Sequence, residues 1–155
     1  MDVKLMAAVV TASASIVAVA VTYMTKLLSE FSERRRTRRM HLTAIRIELS
    51  VNARLAAAMS ENTRTYGFYF SDESWLSADR SVVFSRRIPA DEVVEVYALV
   101  RLFNILAERY VMISEKEDYG PNRGSRLAEE HAEMLRISGE IGKRIPSILG
   151  TLPCG

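Results

Sequence analysis

The chain has 155 residues, 26% of them charged, with 21 Lys+Arg against 19 Asp+Glu and a net charge of +2. That is material for one modest domain, without the basic excess of a dedicated nucleic-acid binder. One cysteine, Cys154, excludes an internal disulfide and a Cys-rich zinc site, and two histidines, His41 and His131, are too few for most histidine metal centres.

The first predicted element is a membrane helix. From Leu5 to Thr25, 21 consecutive residues carry no charge, bounded by Lys4 and Lys26. As a helix this run spans about 31 Å, matching a hydrocarbon core of roughly 30 Å. A cleaved secretory signal would need a shorter apolar core followed by a small-residue cleavage site. Ala12-Ser13-Ala14 has that chemistry, but the strongly apolar Ile16–Val21 follows it rather than preceding it. A buried helix of a water-soluble protein rarely runs so far without a charge. Residues 1–28 are therefore read as a signal-anchor helix. Its composition is Ala, Val, Ser and Thr rather than Leu. Ala7, Thr11 and Ser15 stand four apart, as do Ala14, Ala18 and Thr22, so two small-residue stripes could let a second helix approach closely.

Residues 29–41 form a basic juxtamembrane segment. Lys26, Arg34, Arg35, Arg36, Arg38 and Arg39 face only Glu30 and Glu33, whereas Asp2 and Lys4 are the sole charged side chains before the span. Positive charge stays on the cytoplasmic side. The expectation is an amino terminus outside, a carboxy-terminal domain in the cytoplasm, and a location in the inner (cytoplasmic) membrane. The arginines would anchor to anionic lipid headgroups, each contributing about 1 kcal/mol. Nucleic-acid binding is disfavoured, because residues 40–155 hold 14 basic against 16 acidic residues.

The remaining chain reads as helical, giving an all-α fold. The span is expected to continue into a cytoplasmic antiparallel three-helix bundle over residues 42–149, followed by a tail at 150–155. In the first bundle helix Leu42, Ile45, Leu49, Asn52, Ala56 and Met59 alternate steps of three and four, and Ile47, Val51, Leu55 and Ala58 widen the stripe, so more than one neighbour is expected. No Pro or Gly interrupts residues 27–60. The second helix opens at Pro89-Ala90-Asp91-Glu92, with proline suited to a first turn and acids to the positive end of the helix dipole. Its stripe is Val93, Val96, Val100, Phe103, Ala107, Tyr110 and Ser114, with Leu99, Leu102, Leu106 and Ile113 as a second apolar face. The third runs from about Gly124 to Ile145, carrying Leu127, His131, Met134, Ser138, Ile141 and Ile145, flanked by Leu135 and Ile137. Gly139 and Gly142 weaken it but allow close backbone approach, and Pro146, Gly150 and Pro153 should end it.

Residues 63–88 form an insertion too long for a plain loop in a compact domain. Six of the chain's 12 aromatics fall there: Tyr66, Phe68, Tyr69, Phe70, Trp75 and Phe84. Tyr66, Phe68 and Phe70 have strand-like spacing, and Asp72–Ser81 could form a short helix. These rings either plug the bundle or present a docking surface, for which Tyr66, Phe68, Phe70 and Trp75 are the candidate anchors.

Catalytic motifs are absent. Glu129-Glu130-His131-Ala132-Glu133 lacks HExxH spacing, and Ala128 stands where an ExxH carboxylate would be needed. There is no GxSxG, GxGxxG or Walker loop, and Cys154 is not in a prenylation box. Asn52 and Asn104, on or beside apolar stripes, are read as paired buried amides that set helix register. No catalytic residue, metal site or cofactor is assigned, and no family signature is specific enough to name. The layout resembles that of single-span bacterial proteins with small helical cytoplasmic domains. The expected function is a non-catalytic accessory or scaffold subunit docked on an integral membrane complex. The competing expectation is a self-assembling single-span effector whose helices oligomerise in the bilayer.

Overall fold

The computed structural model describes residues 3–62, 68–78, 90–115 and 122–152, with side-chain environments within the first stretch described for 13–61. Among these residues the protein is all-helical, with four helices and no strand: α1 (Val3–Asn62), α2 (Glu73–Ser77), α3 (Ala90–Glu115) and α4 (Arg123–Thr151). The chain divides into two compact units, residues 1–38 and 39–155.

The first unit is the amino-terminal part of α1. Its described apolar side chains are exposed, among them Ile16, Val19, Tyr23 and Leu28, each 63–70% accessible. This is a helix long and apolar enough to cross a membrane, near the amino terminus. The hydroxyls of Thr22 and Thr25 are turned back on the backbone. Thr22 Oγ1 donates to the Ala18 carbonyl at 2.9 Å, and Thr25 Oγ1 to the carbonyls of Val21 (3.0 Å) and Thr22 (2.8 Å). Hydroxyls satisfied within their own helix can enter hydrocarbon without an unmet hydrogen bond.

The second unit has one hydrophobic core, to which the rest of α1 and all three other helices contribute. The sequence stripes are its content. Leu42, Ile45, Leu49, Asn52, Ala56 and Met59 of α1 are all buried, as are Val93, Val96, Val100, Phe103 and Ala107 of α3 and Met134, Ile137, Ser138, Ile141 and Ile145 of α4. The widening residues divide. Leu106 and Ile113 of α3 are buried and Leu55 and Leu99 pack against the core, whereas Ile47 and Val51 of α1 and Leu102 of α3 are exposed, so at those three positions no neighbour is supplied by the described part of this chain.

Helix α4 runs against both of its long neighbours. Along α1, Arg46 donates to the Leu152 carbonyl (3.1 Å), a Cβ at Gly142 would meet Ala56 at 3.4 Å, and Ser138 contacts the Met59 sulfur at 3.4 Å. Along α3, Arg144 pairs with Glu95, Arg109 with Glu130 (2.7 Å), and Arg123 donates to the Ser114 carbonyl. Residue numbers rise on one partner as they fall on the other in both series. It follows that α1 and α3 run in the same sense, not in the alternating order expected. Only Gly142 makes the close approach foreseen for the glycine pair, since a Cβ at Gly139 would meet open space.

The carboxy-terminal end also differs. α4 passes through Pro146 and ends at Thr151. Proline inside a helix costs about 3 kcal/mol. Pro146 is exposed, however, while Ile145, Ile148 and Leu152 around it are buried, each burial stabilising by about 1.5–3 kcal/mol. Packing outweighs the local penalty.

Candidate functional site

The most elaborate polar chemistry among the described residues surrounds the non-helical segment leading into α2. Phe70 N–H donates to Asn104 Oδ1 (3.0 Å), and Asn104 Nδ2 donates back to the Phe70 carbonyl (2.9 Å). One residue on, Ser71 N–H donates to Asn52 Oδ1 (3.0 Å), and Asn52 Nδ2 donates to the Ser71 carbonyl (2.8 Å). Both polar groups of residue 70 thus face α3, and both of residue 71 face α1. That alternation is the geometry of extended chain. Two side-chain amides replace the neighbouring strands a sheet would provide. The strand expected from the spacing of Tyr66, Phe68 and Phe70 does not form among the described residues, and Tyr66 lies outside them. Asn52 and Asn104 do not pair with each other as expected; each holds backbone of the intervening segment.

Glu48, only 6% exposed, continues this arrangement. Its Oε1 accepts from the Tyr97 hydroxyl (2.6 Å), and its Oε2 accepts from Ser71 Oγ (3.0 Å) and Ser74 N–H (2.8 Å). Ser74 lies in the first turn of α2, where amide groups have no intrahelical acceptor. Asp72, at the N-cap, makes no side-chain capping bond, so Glu48 caps α2 from another helix. The Tyr97 phenol is driven far above its ordinary range, first by burial and then by the hydrogen bond and negative charge of Glu48. It stays protonated and is no nucleophile. With three donors on Glu48, the arrangement is suited to positioning rather than proton transfer.

Rings close the assembly. Trp75 stacks on Tyr97 with centroids 4.8 Å apart and planes at 6°, and Phe70 meets Phe103 edge-on at 4.7 Å. Phe70 and Trp75 are 2% and 4% exposed. These two of the four candidate docking anchors are thus core residues and present nothing to a partner; the plug reading describes them. Phe68 and Tyr69 lie at the rim, exposed, and Tyr66 and Phe84 lie outside the described residues. Beside Glu48 a shallow depression of about 390 Å³ opens outward, with Ala44, Ile47 and Val51 on one side and Ser71, Glu73 and Ser74 on the other.

The other sequence candidates are not members of this cluster. Ala14, Ser15, Ala18 and Thr22 are exposed on α1, while the side chains of Ala7 and Thr11 lie outside the description. Lys26, Arg34, Arg35, Arg36 and Arg39 are exposed and Arg38 is half-buried; the Arg35 guanidinium sits 4.9 Å over the Phe31 ring. His131 stands beside the Tyr110 ring (6.3 Å between centroids), and no group of three metal-binding side chains occurs among the described residues. Cys154 is outside them.

Sequence reasoning missed Glu48, Tyr97 and Ser71. One signal was available. Glu48 lies between Ile45, Leu49 and Asn52 on the apolar face, with no basic residue three or four positions away to hold it at the surface. Comparison with protein-family models, with curated proteins and with solved structures finds no match to this chain.

Proposed function

We propose that this chain is a non-catalytic, membrane-anchored accessory or scaffold subunit that docks on a larger membrane protein assembly. In this reading residues 1–28 span the inner (cytoplasmic) membrane of a bacterium with the amino terminus outside. Lys26, Arg34, Arg35, Arg36, Arg38 and Arg39 rest against anionic headgroups, and residues 42–149 form a cytoplasmic three-helix bundle with an aromatic-rich insertion. The observation that carries the reading is the division of labour along α1. Its first part exposes aliphatic side chains from Ile16 to Leu28, while Leu42, Ile45, Leu49, Ala56 and Met59 on the same helix are buried in a core. Exposed aliphatic surface on that scale calls for lipid or another helix. Orientation rests on the arginine cluster through the positive-inside rule.

Support for a scaffold over an enzyme comes from the polar cluster, whose donors and acceptors are spent on holding the 68–78 segment. The experiment is purification of the full chain in mild detergent. A stoichiometric partner protein is expected; a lone monomer refutes the reading, and a ladder of homo-oligomers on crosslinking in membranes replaces it with the self-assembling effector.

A further inference from the structure

Helix α1 does not turn polar evenly where its uncharged run ends. At about 100° per residue, Met24, Leu27, Leu28 and Phe31 fall within one arc of the helix, and Lys26, Ser29, Glu30 and Glu33 within an arc on the opposite side. The first arc continues an exposed apolar face of the preceding segment. Val17, Val21, Met24, Leu28 and Phe31 follow one another at helical steps of four and three residues, each 57–64% exposed. Arg34, Arg35 and Arg38 carry the same face onward, and the Arg35 guanidinium lies 4.9 Å over the Phe31 ring. One face thus passes from aliphatic through aromatic to cationic, while the other is charged from Lys26 and carries both acids. Thr22 and Thr25, the last polar residues before Lys26, spend their hydroxyls on carbonyls of their own helix and demand no water there.

We propose that lipid covers this face as far as Phe31, so that α1 leaves the membrane obliquely. Acyl chains lie along Leu28 and Phe31, phosphodiester groups meet Arg34, Arg35 and Arg38, and the face bearing Lys26, Glu30 and Glu33 is already in water. This rests on the membrane-anchor reading and adds to it a direction of tilt. Charge order selects the occupant. A lipid leaflet offers apolar and then anionic chemistry in the sequence that this face requires, whereas a second copy packed on the same face would bring its own three arginines against these three. An amphipathic helix with Leu and Phe opposite its polar side buries that side in the headgroup–acyl boundary. A plane through Lys26 on one side and Phe31 on the other descends about 7.5 Å across a helix roughly 10–12 Å wide. That corresponds to a tilt of about 30–40°, which the reach of the lysine stem lowers toward the roughly 20° common among membrane spans.

Single cysteines test the oblique exit in the full chain carrying Cys154→Ser. Leu27→Cys, Leu28→Cys, Ser29→Cys, Glu30→Cys, Phe31→Cys and Glu33→Cys are each reconstituted, without other proteins, in vesicles of equal phosphatidylcholine and phosphatidylglycerol. A charged maleimide is supplied on both sides of the bilayer. Positions 27, 28 and 31 are expected to label at least about ten-fold more slowly than 29, 30 and 33, because a thiol among acyl chains resists ionisation and one in water does not. The slow set should stay slow when excess lipid is added. Labelling that is even across the six positions, or that changes once at a single residue, overturns the proposal. So does protection lost on lipid dilution, which assigns the face to a second copy. Alkaline carbonate separates the proposal from the anchoring on which it rests. A chain stripped from the vesicles refutes the span and the proposal with it, whereas a retained chain with even labelling refutes only the oblique exit.

Discussion

Replacing Asn52 with Ala tests the central structural claim, that two amides substitute for a sheet around residues 70–71. The substitution removes the acceptor for Ser71 N–H (3.0 Å) and the donor to its carbonyl (2.8 Å), and it truncates a side chain with no solvent exposure. A backbone group left unmet in the interior costs about 1–3 kcal/mol. Ser71 is half-buried, so water recovers part of the loss and the sum for two groups is about 2–4 kcal/mol. Domains of this size commonly have about 5–15 kcal/mol to lose, so the protein stays folded. Asn104→Ala should act alike through Phe70. Because the two amides hold consecutive residues, the double variant should lose less than the two singles together, by about 0.5 kcal/mol or more. Asn52→Asp should be no milder than Ala. It turns a donor into an acceptor facing the Ser71 carbonyl and adds a charge one helical turn from Glu48. The assay is urea unfolding of the full chain in nonionic detergent. Far-UV circular dichroism follows the helices, and the chain's single tryptophan, Trp75, follows the segment through its stack on Tyr97. Stability of both alanine variants within about 0.5 kcal/mol of wild type, with unchanged Trp75 emission, would refute the clamp.

Three further outcomes are expected. Because the Tyr97 phenol is raised in the folded state, chiefly by burial, its contribution is complete below the unfolded value near 10 and declines above it, as the unfolded chain ionises while the folded chain stays protonated. Stability should therefore fall above about pH 10 in wild type and lose that component in Tyr97→Phe, which should also cost about 1–3 kcal/mol at neutral pH by leaving Glu48 Oε1 without its donor; parallel alkaline slopes would contradict this. Gly142→Ala should stabilise by about 0.5–1 kcal/mol in urea melts, because the new Cβ would meet Ala56 at ordinary contact distance, whereas Gly142→Leu should destabilise by forcing α1 and α4 apart. Exchanging Arg34, Arg35, Arg36, Arg38 and Arg39 for Gln should move a measurable fraction of a carboxy-terminal reporter to the outside of the cell; unaltered topology would remove the arginines from the orientation argument.

What the sequence revealed and concealed follows from how each interaction is spaced. Burial within one helix repeats every three or four residues, so Leu42 to Met59 and Val93 to Ala107 were legible as core from the pattern alone. The exposed apolar positions Ile47, Val51 and Leu102 obey the same periodicity, and no pattern distinguishes a face covered by this chain from one left open. The Glu48 cluster was hidden because its members lie 23, 26 and 49 residues apart in sequence. Asn52 and Asn104 were visible as misplaced amides on apolar stripes. Their partners were not, since a backbone group has no signature in the sequence. Pro146 misled because a local helix penalty is readable, while the burial of Ile148 and Leu152 that overrides it depends on tertiary contact.

The length of the insertion follows from the sense of the helices. With α4 running against both α1 and α3, those two helices share a direction, and the chain leaving α1 has to travel back before α3 can begin. The contacts trace that return: from residue 70 to residue 75 the partners on α3 fall from Asn104 to Tyr97, and from residue 71 to residue 74 those on α1 fall from Asn52 to Glu48. A return path between two helices meets side chains rather than strand edges, so its amides and carbonyls require partners that helices do not offer from their own backbones. Asn52, Asn104 and Glu48 supply them, and Phe70 and Trp75 fill the space between. The rings of Phe70 and Trp75 and the polar residues on the α1 and α3 stripes are thus two halves of one solution for the described segment.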